Sequence, residues 1–368
     1  MTGHDEAVID APPLPPPAVV APAPREVSWG LVAGTAPSGT RRIVVRVGGR
    51  VLADRPLRGR RFSLRVDLPA RNATLRVTAV AGERSSTTAV PNVRGLPAAG
   101  VPRLSLPRRH AQLDRRVRSL TRSFGGVSGV YVQDLASGWG AAWNAAARFP
   151  AASTLKLAIA VTVLRRHEGL PTGRLEVLLR RMLVLSENVA ANELEAWLGG
   201  AAAVEETLRA LELHDSLMYG GYEVERRPAA ARQPIPIRVE QRPSFPPGKY
   251  SSAWDLGRLA RAIYAGGAGK GPLPGLGVTA SEARHLLWLL AHVQDRVKLG
   301  RYLGASASLL HKAGWLKTVR HDAGIVVWPG GAFVAAVLTW SPRGVGTSAD
   351  VLAGGVTRES LAVFRTIG

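Results

Sequence analysis

The chain has 368 residues, 46% hydrophobic and 20% charged, enough for a packed core and for more than one domain. It contains no cysteine, which excludes disulfides, thiolate metal sites and cysteine nucleophiles and leaves the cellular compartment open. A net charge of +21 favours anionic surroundings, but arginines are spread over both halves and no basic, aromatic-interleaved motif stands out, so no nucleic-acid partner is expected.

The amino terminus, MTGHDEAVID, is acidic where a signal peptide is basic, and no apolar core follows it. On that pattern the chain is expected either to be cytoplasmic or to lack its export signal. Residues 1–25 are expected to be a flexible segment, with the proline-rich run 11–25 a semi-rigid spacer. Residues 26–95 read as a small β-sandwich resembling an immunoglobulin-like module. There IVVRVGGRVLA turns at Gly48-Gly49 and is followed by the alternating segments RFSLRVDL, ATLRVTAV and STTAV. Residues 96–107 form a Gly/Pro-rich linker, and 108–368 form the main domain.

In that domain Leu113, Val117, Leu120 and Phe124 recur at helical spacing, leaving an arginine-rich solvated face. GVSGVYVQDLASG and GAAWNAAARF read as strands of a hairpin, and a helix begins at Ser153. Further helices are expected over Val189–Leu198, closed by Gly199-Gly200, and after the capping residues Ser252 and Thr279. The long uncharged run Ala323–Trp340 is broken by Pro329-Gly330-Gly331, so it reads as a hairpin and not as a membrane span. A last helix is expected near Val356–Thr366. Strands, then helices, then strands and a helix make an α+β fold.

One position in this layout is unusual. Only six of the 48 basic residues are lysines, and one of them, Lys156, stands in the apolar run FPAASTLKLAIAV, three residues after Ser153. Residues i and i+3 share a helix face, and a desolvated lysine, unlike arginine, can shed its proton and accept one from a neighbouring hydroxyl. An isolated lysine of this kind is more often one whose stem packs on the helix while its amine reaches water.

Three short motifs, in order, decide between these readings: S-T-L-K at 153–156, S-E-N at 186–188 and K-A-G at 312–314. Together with the LSENVAANELEAWLGG segment and the final hairpin, they make residues 105–368 resemble the class A serine β-lactamases and their penicillin-binding relatives. The resemblance implies a β-lactamase-like domain, an antiparallel sheet flanked by helices plus an all-helical subdomain. It also implies an acyl-enzyme on Ser153 with Lys156 as base, Ser186 relaying the proton to the leaving nitrogen, and Asn188 orienting Lys156 and substrate. Lys312 would hold the anionic end of the substrate, and the N–H groups of Ser153 and of Trp315, just after Gly314, would stabilise an oxyanion. Ser153 and Ser186 read alone would be helix caps, and His311 a core or surface residue.

The sequence departs from the family pattern in places. Glu187 replaces the aspartate of S-D-N. Ala313 replaces the threonine of K-T-G and removes a hydroxyl that would bind a β-lactam carboxylate, leaving Arg320 as a candidate carboxylate partner. No E-x-x-L-N string carries the deacylating glutamate. Glu223 lies at about the right remove from Ser186, with Glu225 and Glu240 as alternatives. No metal or other cofactor is expected.

The leading expectation is therefore an extracytoplasmic, monomeric serine hydrolase opening β-lactams. The alternatives are a D-alanyl peptidase or transesterase acting on cell-wall peptides with slow deacylation, and a catalytically weak protein that binds the anionic cell envelope.

Overall fold

The structure, a computed structural model, describes residues 12–218 and 235–367. It divides into two compact units, one ending at Gly95 and one beginning at Leu96.

The first unit is all β. Its strands are β1 (Ala18–Ala21), β2 (Val27–Ser28), β3 (Leu31–Thr35), β4 (Arg42–Val47), β5 (Arg50–Pro56), β6 (Arg61–Arg65), β7 (Asn72–Ala81) and β8 (Arg84–Gly95). They form a sheet β1-β3-β6 and a second sheet β2-β8-β7-β4-β5. Leu75, Val77 and Ala79 alternate along β7 and join Val32, Ile43, Val45 and Phe62 in one apolar core. The β4–β5 hairpin pairs Val47 with Arg50 across Gly48-Gly49, where Gly48 supplies a φ of 56°.

The proline-rich stretch departs from the expected spacer over residues 12–25. Leu14 is buried in the core, β1 pairs with β3 at Ala18↔Thr35, and Ser86 Oγ donates to the Pro15 carbonyl at 2.6 Å. Proline lacks an N–H but has the extended φ of a strand, so the stretch can serve as a sheet edge, which is where β1 lies.

The second unit is α+β. Its strands are β9 (Arg108–Arg109), β10 (Val127–Asp134), β11 (Trp139–Trp143), β12 (Phe149–Pro150), β13 (Tyr250–Ser251), β14 (Ser308–Leu316), β15 (Val319–Trp328) and β16 (Gly331–Trp340). The main sheet has the order β14-β15-β16-β10-β11-β9, antiparallel except for the β11–β9 pair. The described helices are α1 (Ala111–Arg122), α2 (Lys156–Arg166), α3 (Gly173–Val184), α4 (Asn188–Trp197), α5 (Ala201–Ala210), α6 (Ala253–Gly267), α7 (Ala280–Leu290) and α8 (Thr347–Ile367).

Helices α1 and α8 bury Leu113, Val117, Leu352, Val356 and Phe364 against Val130, Val132, Val326, Phe333 and Val337 on one sheet face. Helix α6 packs on the other face, where Gly257 allows the Tyr131 ring to approach; a Cβ there would lie 2.4 Å from Tyr131 Cδ1. Helix α2 is buried at every residue from Lys156 to Leu164, as an apolar-all-round segment requires.

Local chemistry explains the helix starts. Ser252 Oγ accepts from the Asp255 N–H, and Thr279 with Glu282 forms a full capping box. Helix α8 begins nine residues before the expected Val356, at Thr347. Gly354 and Gly355, ordinarily helix-weakening, sit inside it because their missing Cβ atoms admit Arg301 and Tyr302 at one and Leu120 at the other.

Candidate active site

The chain reaches Ser153 along a constrained path. Strand β12 pairs with β13 through Phe149↔Ser251 and Pro150↔Tyr250, and the Ala151 N–H donates to the Lys249 carbonyl at 2.9 Å. Ala152 is left-handed, with φ 47°. Residues Ala152–Leu155 then form a 3₁₀ turn that leads into α2. Ser153 therefore does not cap a helix; it lies within a tight turn, in which the Thr154 N–H donates back to the Ala151 carbonyl at 3.2 Å, with a left-handed, strained residue before it.

Strand β14 passes close to this turn. A Cβ on Gly314 would stand 2.8 Å from the Ser153 nitrogen and 3.1 Å from that of Thr154, so only glycine permits the approach. His321, which pairs in register with Gly314, accepts from the Thr339 N–H at Nδ1 (3.1 Å) and donates from Nε2 to the Pro150 carbonyl at 2.8 Å. It thereby ties β15 and β16 to the segment ahead of Ser153, and burial lowers its pKa to about 4, keeping it neutral.

Lys156 is 6% exposed. Its amine donates to the Ser186 carbonyl at 2.5 Å and to Asn188 Oδ1 at 2.8 Å. Burial lowers its pKa to about 8, with the Lys249 charge acting in the same direction against Glu187. Ser186 is left-handed at φ 60°, and the next residue, Glu187, holds the turn by accepting from Arg181 Nε at 2.8 Å. The Ser186 hydroxyl does not cap α4; it accepts from Lys312 Nζ at 2.9 Å. Lys312 is 1% exposed, and burial, then repulsion from Lys156, brings its pKa to about 7. The amine also donates to the Ala313 carbonyl at 2.7 Å. Behind it His311 is fully buried and hydrogen-bonded through Nδ1 to Asp322 Oδ1 at 2.7 Å, a core residue and not a cleft residue.

Ser153, Lys156, Asn188 and Trp315 line a single cavity of about 660 Å³, and Ser186 and Lys312 adjoin it through the bonds just described. Among the described residues the Ser153 hydroxyl has no hydrogen-bond partner, and the Lys156 amine is directed at Ser186 and Asn188. Glu223 and Glu225 lie outside the described residues. Glu240 is exposed and does not line the cavity; its backbone N–H is bound by Asn144 Oδ1 at 2.6 Å.

Arg320 does not fit its expected place as a substrate-carboxylate partner. Its Nε donates to Asp350 Oδ1 of α8 at 2.9 Å. Strand alternation sends Arg320 to the α8 face of the sheet and the next residue, His321, to the face that carries the site.

Several cavity residues went unread in the sequence: Asn192 and Glu195 on α4, Phe245, Lys249 and Thr318. The i, i+4, i+7 spacing from Asn188 would have found the first two, and the scarcity of lysine would have flagged Lys249. Among the described residues no cluster of side chains suited to a metal ion is present.

Two serines gathered around two buried lysines, between helices and a largely antiparallel sheet, define a class of protein. Residues 112–169 and 171–364 match the Beta-lactamase enzyme family, and the chain belongs to it. Solved structures are similar in fold. PBP-A superposes with a TM-score of 0.57 at 21% identity, over 72% of this chain and 100% of that one. A class A β-lactamase from Mycobacterium abscessus gives 0.53 at 23% identity, over 69% of this chain and 99% of that one. A β-lactamase from Sphaerobacter thermophilus DSM 20745 gives 0.53 at 22%, over 70% of this chain and 98% of that one. No curated protein matches the sequence.

Proposed function

We propose that this chain is a serine hydrolase that opens β-lactam amides through an acyl-Ser153 intermediate. The observation that carries the reading is the buried Lys156, its proton affinity lowered, held between Ser186 and Asn188 in the cavity that Ser153 lines. In this reading neutral Lys156 takes the Ser153 proton as Oγ bonds to the carbonyl carbon. The N–H groups of Ser153 and Trp315 stabilise the oxyanion, a pairing that the close approach of Gly314 to the Ser153 nitrogen supports. The C–N bond then breaks, and the nitrogen receives its proton through Ser186. That hydroxyl accepts from Lys312 and so keeps its own hydrogen free to donate. Lys312 supplies positive charge for an anionic substrate group, a role Arg320 cannot share while paired with Asp350.

A second reading is supported by the sequence, which has Ala313 in the K-T-G position and no E-x-x-L-N string. In it the acyl-enzyme forms and persists, as in a penicillin-binding peptidase or transesterase acting on cell-wall peptides. A structure of a PBP-A variant is described as an acyl-enzyme complex with penicillin G. Glu223 is the proposed deacylating base under the first reading. An extracytoplasmic site of action belongs to the same proposal, since substrates of both kinds are met there; among the described residues no helix is long and apolar enough to cross a membrane.

The test is acylation by a chromogenic β-lactam. Replacing Ser153 with Ala should abolish it, and Lys156→Met should slow it by about a hundredfold or more. Unchanged rates in both variants would overturn the proposal.

A further inference from the structure

Helix α4 presents Asn188, Asn192 and Glu195 to the cavity, one residue per turn. The bond from Lys156 Nζ to Asn188 Oδ1 fixes one end of this stripe at the reacting centre. At a rise of about 1.5 Å per residue, Glu195 lies about 10 Å further along the axis. That is too far to activate a water on acyl-Ser153, and it suits the distal end of an acyl side chain.

Glu195 is half-buried, and among the described residues its carboxylate has neither ion pair nor hydrogen bond. Its neighbours are different. Glu193, off the cavity, is held by Arg174 at 2.6 Å, Glu187 by Arg181 at 2.6 Å, and Glu206 by both Arg165 and Arg166. What sets Glu195 apart is its place: it is a half-buried carboxylate on the cavity wall with no such partner among the described residues, in a chain with 48 Lys and Arg against 27 Asp and Glu. The other charged side chains lining the cavity are Lys156 and Lys249. The cavity is thus attractive to anions near Ser153 and to a cation at its α4 end.

We propose that Glu195 is a specificity-determining residue that binds a protonated amine on the acyl side chain of the substrate. The proposal rests on the reading of Ser153 as the acylated nucleophile and names the substrate class: an amide, ester or β-lactam whose acyl portion ends in an ammonium group.

The test compares a penicillin with an aminopentanoyl side chain and the same penicillin with that amine acetylated. Second-order acylation rate constants are measured for the full chain and for its Glu195→Gln and Glu195→Lys variants. The wild type should prefer the free amine by about tenfold, as a charge-assisted contact allows. The preference should vanish in Glu195→Gln and reverse in Glu195→Lys. Acylation without preference, or a preference that survives in Glu195→Lys, overturns the amine site and leaves the nucleophile standing. If neither penicillin acylates the wild type, the reading of Ser153 fails. The amine site is then judged by calorimetric binding of aminopentanamide against its acetylated form, and equal binding by wild type and Glu195→Gln overturns it.

Discussion

At the residue scale two lysines with lowered proton affinity face one serine, and their titrations oppose each other. In the proposed reaction acylation needs Lys156 neutral, which pH above about 8 favours, and Lys312 charged, which pH below about 7 favours. The proposed reaction should therefore show a bell-shaped acylation profile with its maximum between about 7 and 8, reporting the pair and not either residue alone. Lys249 contributes to the lowering at Lys156, so Lys249→Gln should move the rising limb to higher pH while the falling limb stays in place. A profile in Lys249→Gln that superposes on the wild type would remove Lys249 from the account. The residues of this site were legible where chemistry repeats at a short fixed spacing: S-T-L-K, S-E-N and K-A-G each place their partners within a turn or a strand. The side taken by Arg320 was not legible, because Arg320, His321 and Asp322 are polar in succession and give no polar–apolar alternation from which to assign it.

At the element scale the position of Ser153 depends on strands β14 and β15 more than on its own helix. Gly314→Ala would set a Cβ 2.8 Å from the Ser153 nitrogen, against backbone that cannot move aside cheaply. Acylation should fall by about a hundredfold with a stability loss of about 1 to 3 kcal/mol; an alanine variant with normal acylation would mean the approach is not required. His321→Ala cuts the tie to Pro150 and leaves its carbonyl without that donor, so it should lower acylation and Tm together. Helix and strand periods located most of these elements. They could not show that the proline-rich stretch supplies an edge strand, since proline signals extended backbone whether or not a neighbouring strand is present. Nor could they show that Gly354 and Gly355 lie within α8, because that depends on Tyr302 and Leu120, distant in sequence.

For the whole molecule, burying Lys156 and Lys312 works against stability. Their pKa values fall from 10.5 in the unfolded reference to about 8 and about 7 in the fold, so between about 7 and 10 the unfolded chain binds more protons. Stability should rise with pH across that window, and Lys312→Met should flatten the rise. His321, neutral in the fold down to about 4 against a reference of 6.5, acts on the acid side: stability should fall as pH drops from 6.5 towards 4. Thermal melts at a series of pH values check both slopes, and a Lys312→Met melt with an unchanged slope would contradict the first. The central claim, that Ser153 is acylated by a β-lactam amide, is tested most directly by intact mass spectrometry over time after mixing with penicillin, followed by peptide mapping. The account predicts an adduct of one penicillin per chain on Ser153, decaying if Glu223 serves as base, more persistent in Glu223→Gln, and absent from Ser153→Ala. An adduct on another residue, or none under conditions where the chain is folded, would contradict it.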